Sequence, residues 1–177
     1  MHPKIHLSKT PEGLAIMVAQ KLIQKFEKAS SPINIALSGG NTPKLLFQEL
    51  AKFPNEKYWK NIHLYWGDER CVSPEDSQSN FGNTKKFLLE HIQIPKENIH
   101  RIEGERAPEE EACRYENLLK KNLKIIQDTP SFDIIILGLG NDGHTASIFP
   151  NQIHLETSKK LCKVAIQPET GQKRISI

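Results

Sequence analysis

The order of apolar and polar positions in the first third of the chain predicts alternating helices and buried strands. In residues 12–28, apolar side chains recur at positions 14, 18, 22 and 26, which is the spacing of one face of an amphipathic helix. The short apolar run Ile33–Leu37 ends in a serine and two glycines and predicts a buried strand. Thr42 and Pro43 are residue types typical of an N-cap and a first helical position, so a second helix is predicted from there to about Phe53.

The same alternation continues along the rest of the chain. A strand over Ile62–Trp66 precedes a polar loop from Gly67 to Asn80. The pattern then predicts helices over 81–91 and 108–127, and strands over 99–102, 132–137, 161–166 and from 174 onward. The run Phe132–Leu137 is the clearest buried strand of the chain.

This order of elements predicts the fold class and the place of a site. Apolar strands separated by helices are typical of a parallel sheet covered on both faces, so we predict one α/β domain over residues 1–177. Such sheets bind ligands beyond the carboxyl ends of their strands. Three polar, glycine-containing segments follow predicted strands, namely Ser38–Thr42, Gly67–Arg70 and Gly138–His144. We expect these three loops to converge on one site. A strand that starts at Arg174 has little chain left to complete it, so we expect a C-terminally incomplete domain.

Composition narrows the class of protein further. The 177 residues contain 24 Lys and Arg against 21 Asp and Glu, and the net charge of +3 fits a small anionic substrate as well as simple solubility. Aromatic residues make up 7% and lysines are dispersed, which disfavours nucleic-acid binding. No apolar run approaches the ~18 residues of a membrane span, and no signal-peptide core follows Met1. We expect a cytoplasmic protein with no membrane, nucleic-acid or obligate protein partner. His63 and His100 are interpreted as packed or surface histidines and not as ligands. Cys71 has no paired histidine in the sequence and is interpreted as structural.

Two glycine-rich segments suggest different chemistry. Ser38–Pro43 joins a predicted strand to a helix start, where glycines let the backbone approach a ligand and free N–H groups favour an anion. A tight turn without a ligand is an equally good interpretation of this segment alone. Gly138–Gly143 has the glycine spacing of a dinucleotide-binding loop, but His144 and Pro150 follow at once and no acidic-ended strand comes ~20 residues later, so we exclude that function.

Charged side chains accompany two of the predicted loops. Asp68 and Arg70 follow a predicted strand, where the guanidinium could bind a phosphate through two hydrogen bonds or could form only a surface ion pair. Asp142 and His144 follow the clearest strand, and a histidine oriented by a carboxylate is suited to general-base chemistry. A capping aspartate beside a structural histidine is the alternative. This alternative is less favoured because the other polar loops are expected at the same edge of the predicted sheet.

Four segments in order resemble the signature of a known family. They are Ser38–Pro43, Trp66–Arg70, Asp76 with Ser79 and Asn80, and Gly138–Pro150, and together they resemble the 6-phosphogluconolactonases of the glucosamine-6-phosphate isomerase/6-phosphogluconolactonase family. The resemblance covers essentially the whole chain. It implies a Rossmann-like, three-layer, parallel-sheet fold of the sugar-phosphate isomerase and deaminase type. It also implies hydrolysis of 6-phospho-D-glucono-1,5-lactone to 6-phosphogluconate in the oxidative pentose phosphate pathway, with no metal or organic cofactor.

The chemistry of that substrate suggests a role for each candidate residue. A phosphorylated, activated ester requires an anion clamp, a base and an oxyanion stabiliser. Our hypothesis makes His144 the base that deprotonates the attacking water. Asp142 would orient His144 or stabilise its charged form. The expected phosphate ligands belong to the first loop and to two arginines: Ser38, Gly39, Gly40, Asn41, Thr42, Arg70 and Arg174. Backbone N–H groups of Gly39 or Gly40 could instead meet the oxyanion, while Asp68 and Asn80 are expected to shape the site.

Two other functions fit the sequence less well. Amino-sugar phosphate deaminases and isomerases of the same fold share the Asp-Gly-His segment but carry an acidic residue immediately before the proline, where this chain has Phe149. The other alternative is a non-catalytic sugar-phosphate binding relative. Its support is chain length, because the family normally continues past this point with a lysine near the substrate phosphate. Since the three site loops are intact, we expect an incomplete sequence and not a lost activity.

Overall fold

The computed structural model describes residues 3–150, 152 and 160–177, which form helices and two main sheets. The helices are α1 (Pro11–Glu27), α2 (Asn41–Leu50), α3 (Glu56–Trp59), α4 (Asn80–Phe87) and α5 (Pro108–Asn122). The strands are β1 (Ile33–Leu37), β2 (Ile62–Trp66), β3 (Asp68–Arg70), β4 (Ile99–His100), β5 (Lys124–Ile126), β6 (Thr129–Ser131), β7 (Ile134–Ile135), β8 (Lys163–Ile166) and β9 (Lys173–Ser176). Short 3₁₀ turns cover Leu89–His91 and Lys96–Asn98.

A parallel sheet in the order β4-β2-β1-β7 lies at the centre of the fold. Its central strands pair along their full length, with Ile33 opposite Ile62 and Leu37 opposite Trp66. Four of the five residues in each of these two strands are buried, as continuous apolar runs in a covered parallel sheet require. The predicted α/β fold class is thereby confirmed.

Helix α1 forms from the stripe that the sequence predicts. It starts after Thr10, whose side-chain oxygen accepts a hydrogen bond from the N–H of Gly13, and it buries one face that includes Leu22 and Phe26. The Phe26 ring meets the ring of Trp59 from α3 edge-on, with centroids 5.5 Å apart. This packing fixes α1 against the core through large apolar contacts.

A second sheet is antiparallel, in the order β3-β9-β8, and its pairing was not predicted from the sequence. The segment expected as a polar loop from Gly67 to Asn80 begins with strand β3. Its partner β9 comes from the far end of the chain and puts Arg174 directly opposite Arg70. Because this pairing joins residues far apart in sequence, no local pattern indicates it.

Several predicted helix boundaries are wrong. Helix α2 ends at Leu50 and not at Phe53, and α4 ends at Phe87 and not at His91. Two further boundaries differ for a clear physical reason. Helix α2 begins at Asn41 with Gly40 as its N-cap, so Thr42 lies inside the first turn and is not the cap. Gly40 has a φ of 110°, a backbone conformation that glycine adopts without strain. Helix α5 ends at Asn122 and not at 127, because the next residues turn back as the β5–β6 hairpin.

The strand predicted over Phe132–Leu137 is shorter and more exposed than expected. Strand β7 at the edge of the parallel sheet covers Ile134–Ile135, and the N–H groups of Asp133 and Ile136 beside it donate to carbonyl oxygens of β1. The side chains of Ile135 and Leu137 are 53% and 58% exposed. An apolar run therefore indicated a strand correctly but not its burial.

Among the described residues, no helix combines the length and apolar composition that crossing a membrane requires.

Candidate active site

A polar cleft of about 250 Å³ opens where the three predicted loops meet. Its walls contain all but one of the candidate site residues, together with five others: Ser38, Gly39, Gly40, Asn41, Thr42, Pro43, Asp68, Arg70, Asn80, Gly138, Leu139, Gly140, His144, Ala146 and Arg174. The remaining candidate, Asp142, does not line the cleft but contacts His144. The loops therefore converge as the order of strands predicted.

The first wall of the cleft is the turn from β1 into α2. No side chain in the described part of the chain caps α2, so none of these residues supplies a side-chain partner for the N–H groups of its first turn. Such a helix start attracts anions. Gly39 packs so closely against Asn80 that a Cβ atom on Gly39 would lie 1.8 Å from Asn80 Oδ1. This close approach requires a glycine.

The second wall carries two arginines on neighbouring strands. Arg70 donates through Nη1 to the carbonyl oxygen of Gln78, and its buried Nε has no partner among the described residues. Arg174 donates through Nε to Gln172 Oε1 at 3.3 Å. Burial lowers the pKa of Arg174, and the positive charge of Arg70 lowers it further. Two guanidinium groups that repel each other in a cleft make a site for an anion.

The third wall carries a hydrogen-bonded pair, His144 and Asp142. Nδ1 of His144 lies 2.5 Å from Oδ1 of Asp142, which also accepts the backbone N–H of His144 at 3.2 Å. These hydrogen bonds lower the pKa of Asp142, so the carboxylate stays ionised near neutral pH. Because a carboxylate only accepts, we assign the imidazole proton to Nδ1, which leaves Nε2 as the acceptor. Gly140 makes room for the ring, since a Cβ atom there would lie 2.2 Å from Nδ1.

Asp68 and Asn80 form the floor beside these walls. Both are buried, and Asn80 Nδ2 donates to Asp68 at the carbonyl oxygen (2.9 Å) and at Oδ1 (3.2 Å). The other carboxylate oxygen of Asp68 accepts from the Ser147 hydroxyl at 2.7 Å. Ser147 is completely buried and is a supporting residue that the sequence analysis did not single out.

Glu69 is the second residue whose importance the sequence analysis missed. Its buried carboxylate accepts backbone N–H groups of Arg70, Asn80 and Phe81 and the hydroxyl of Ser79. Burial raises the pKa of Glu69, and these four hydrogen bonds oppose that rise. The carboxylate therefore holds the start of α4 against β3. Side chains alternate along a strand, so recognising β3 would have separated Glu69 from its two cleft-lining neighbours.

Within the described ranges, no group of three His, Cys, Asp or Glu side chains could hold a metal ion. Cys71 is partly buried, and burial raises its pKa to about 11, so its thiol stays protonated at neutral pH.

Comparison with known proteins gives consistent matches over almost the whole chain. The family model described as "Glucosamine-6-phosphate isomerases/6-phosphogluconolactonase" matches residues 9–177. The 6-phosphogluconolactonase of Haemophilus influenzae is 48% identical over 161 residues, which are 88% of this chain and 67% of that protein. The crystal structure of devB protein superposes with a TM-score of 0.89 at 43% identity, over 94% of this chain and 70% of that one. The 6-phosphogluconolactonase of Leishmania guyanensis superposes with a TM-score of 0.87 at 27% identity, over 100% of this chain and 76% of that one.

Proposed function

Because the chain belongs to the glucosamine-6-phosphate isomerase/6-phosphogluconolactonase family, we propose that it hydrolyses 6-phospho-D-glucono-1,5-lactone to 6-phosphogluconate, the lactone-consuming step of the oxidative pentose phosphate pathway. The observation that carries this proposal is the pairing of His144 with Asp142 in a cleft that also holds two arginines. A base and an anion clamp are the groups that hydrolysis of a phosphorylated lactone needs.

In the proposed reaction, Nε2 of His144 takes a proton from water while the water oxygen bonds to the lactone carbonyl carbon. Asp142 keeps the ring oriented through Nδ1 and stabilises the imidazolium that forms. The tetrahedral intermediate then collapses and breaks the bond between the carbonyl carbon and the ring oxygen. The imidazolium returns its proton to that oxygen, so the ring opens and the base is regenerated.

The substrate phosphate is assigned to the arginines and to the loop before α2. Arg70 and Arg174 lie opposite each other across β3 and β9, so one dianion can neutralise both charges. The uncapped start of α2 adds N–H donors from Ser38–Thr42 to the same cleft. The deaminase alternative has no support here, because a buried phenylalanine, Phe149, packs on His144 where those enzymes are expected to carry an acid.

The test is hydrolysis of freshly prepared 6-phosphogluconolactone by the full chain, measured above the spontaneous rate. We expect His144→Ala to lower kcat by about 10²–10⁴-fold while the protein stays folded. Arg70→Ala should mainly raise KM. The matched control is His6→Ala, since His6 is exposed and lies outside the cleft. Unchanged kcat in His144→Ala would refute the general-base role. Absence of hydrolysis by the folded chain would refute the function and favour the non-catalytic binding alternative.

A further inference from the structure

One buried aromatic ring touches both functional walls of the cleft. Phe149 is 4% exposed, and its ring centroid lies 4.9 Å from that of His144 at an interplanar angle of 43°. The guanidinium carbon of Arg174 lies 5.3 Å from the same centroid. His144 belongs to the loop after β7 and Arg174 to β9, so this ring connects residues from two sheets.

The hydrogen-bonded pair needs such a contact because its other member is not rigidly held. The Asp142 side chain is 50% exposed, and the next residue, Gly143, has a φ of 89°. Gly140 lies against one side of the ring, and a single side-chain hydrogen bond does not by itself stop the imidazole from turning about the line joining Nδ1 to the carboxylate. The buried ring of Phe149 blocks that rotation by packing.

Arg174 needs the same contact for a different reason. Its side chain makes one long hydrogen bond to Gln172 among the residues described here, and it is repelled by Arg70. The face of an aromatic ring is electron-rich and attracts a guanidinium. The Phe149 ring therefore offsets part of the repulsion and keeps Arg174 turned toward the cleft.

We propose that Phe149 is the positioning residue that sets the base His144 and the anion-binding Arg174 in fixed relation to each other. The proposal rests on the hydrolytic function proposed above. The distance between base and clamp matters because the reacting carbon and the phosphate belong to one substrate molecule. A misplacement of about 1 Å can cost as much as 10²-fold in rate.

The central experiment compares apolar and aromatic replacements. Phe149→Leu and Phe149→Met keep an apolar side chain but remove the ring, and we expect kcat to fall and KM to rise, with a combined loss in kcat/KM of about tenfold. Phe149→Tyr keeps the ring face and should retain most of the wild-type values. Phe26→Leu is the matched control, because it also removes a buried, edge-packed ring but lies in α1, away from the cleft.

Two readouts separate positioning from general destabilisation. In NMR spectra of histidine-labelled protein, the ring signals of His144 should form one sharp set in the wild type and should be broadened or split by exchange between ring orientations in Phe149→Leu. In the Arg174→Ala background, Phe149→Leu should raise KM no further, since the clamp it positions is already gone.

The outcomes that overturn the proposal are specific. Wild-type kcat, KM and ring signals in a folded Phe149→Leu would overturn it. Equal losses in Phe149→Tyr or Phe26→Leu would also overturn it, because they would show a stability effect. If the wild-type chain hydrolyses no lactone, the proposed function fails by itself. The ring signals and the affinity for 6-phosphogluconate then still test the positioning role, with about tenfold weaker binding expected in Phe149→Leu but not in Phe149→Tyr.

Discussion

Replacing Gly39 by alanine is expected to disrupt the floor of the cleft through one clash. A Cβ atom on Gly39 would lie 1.8 Å from Oδ1 and 2.4 Å from Cγ of Asn80. The backbone of Gly39 lies outside the left-handed region, so alanine is not strained there by φ. The substitution therefore isolates the effect of close approach from the effect of backbone conformation.

The size of the effect follows from what Asn80 would lose. Asn80 is 2% exposed, so its side chain cannot move into solvent without leaving its two hydrogen bonds to Asp68. Losing two hydrogen bonds costs about 2 kcal/mol, and overpacking a buried site costs about 1–3 kcal/mol. The lower entropy of an unfolded chain with alanine offsets about 0.4–1 kcal/mol. We expect Gly39→Ala to lower the free energy of unfolding by about 2–5 kcal/mol.

Urea unfolding of a double-mutant cycle checks this reasoning. Asn80→Ala alone should lower stability by about 2 kcal/mol, and adding Gly39→Ala to it should cost little more because the clashing atoms are gone. Gly13→Ala is the control, since the nearest atom there is the hydroxyl oxygen of the exposed Ser8, which can move. Wild-type stability of Gly39→Ala would refute the argument. So would an undiminished loss when Gly39→Ala is made in the Asn80→Ala background.

Three further substitutions test polar side chains that are buried or half-buried in the fold. Tyr115→Phe should lower the free energy of unfolding by about 1–3 kcal/mol, because the Tyr115 hydroxyl oxygen accepts the buried N–H of Trp66 at 2.9 Å. A urea unfolding curve identical to that of the wild type would contradict this. Glu69→Gln should lower stability by a similar ~1–3 kcal/mol, because an amide NH₂ would face some of the four donors that the carboxylate accepts, and calorimetry that shows no fall in Tm would contradict it. For His100, burial and then the neighbouring His63 lower the pKa to about 4 from 6.5. As pH falls, His100 therefore binds its proton in the unfolded chain before it does so in the folded protein. The stability that neutral His100 contributes is present above pH 6.5 and is lost toward pH 4. The expected loss between pH 7 and 5 is about 1 kcal/mol after allowing for partial solvent access. His100→Gln should flatten this part of the Tm–pH curve, and an unchanged slope would show that another group is responsible.

Local patterns predicted those parts of the fold in which neighbours in sequence decide the structure. Helix α1 and strands β1 and β2 were predicted close to their observed bounds, because their periodicity reflects burial on one face or on both. The three site loops were predicted for the same reason, since each follows a strand in a parallel sheet. Residue types then indicated what the loops could bind, but not how their side chains pair.

Contacts between distant parts of the chain account for the errors. Strand β3 was missed because its residues are polar, and it is extended only because β9 pairs with it from more than 100 positions away. The end of α5 was overestimated because residues 124–126 are helix-compatible in isolation, and the β5–β6 hairpin determines their conformation. From the sequence, Phe149 was identified only as the residue that stands where the deaminases of the same fold carry an acidic residue. No local rule places its ring between His144 and Arg174.

The pairing of Arg70 with Arg174 is the long-range contact on which the proposed anion site depends. Like charges opposite each other across an antiparallel pair destabilise a sheet, and here the two arginines face each other in the cleft. Stability alone would favour a carboxylate or an apolar residue at one of these positions. The arrangement is instead favourable when an anion lies between the guanidinium groups, because their charges then act on a shared ligand. A local conflict that the surrounding packing tolerates therefore supports the proposed anion site, and it becomes visible only when both strands are in place.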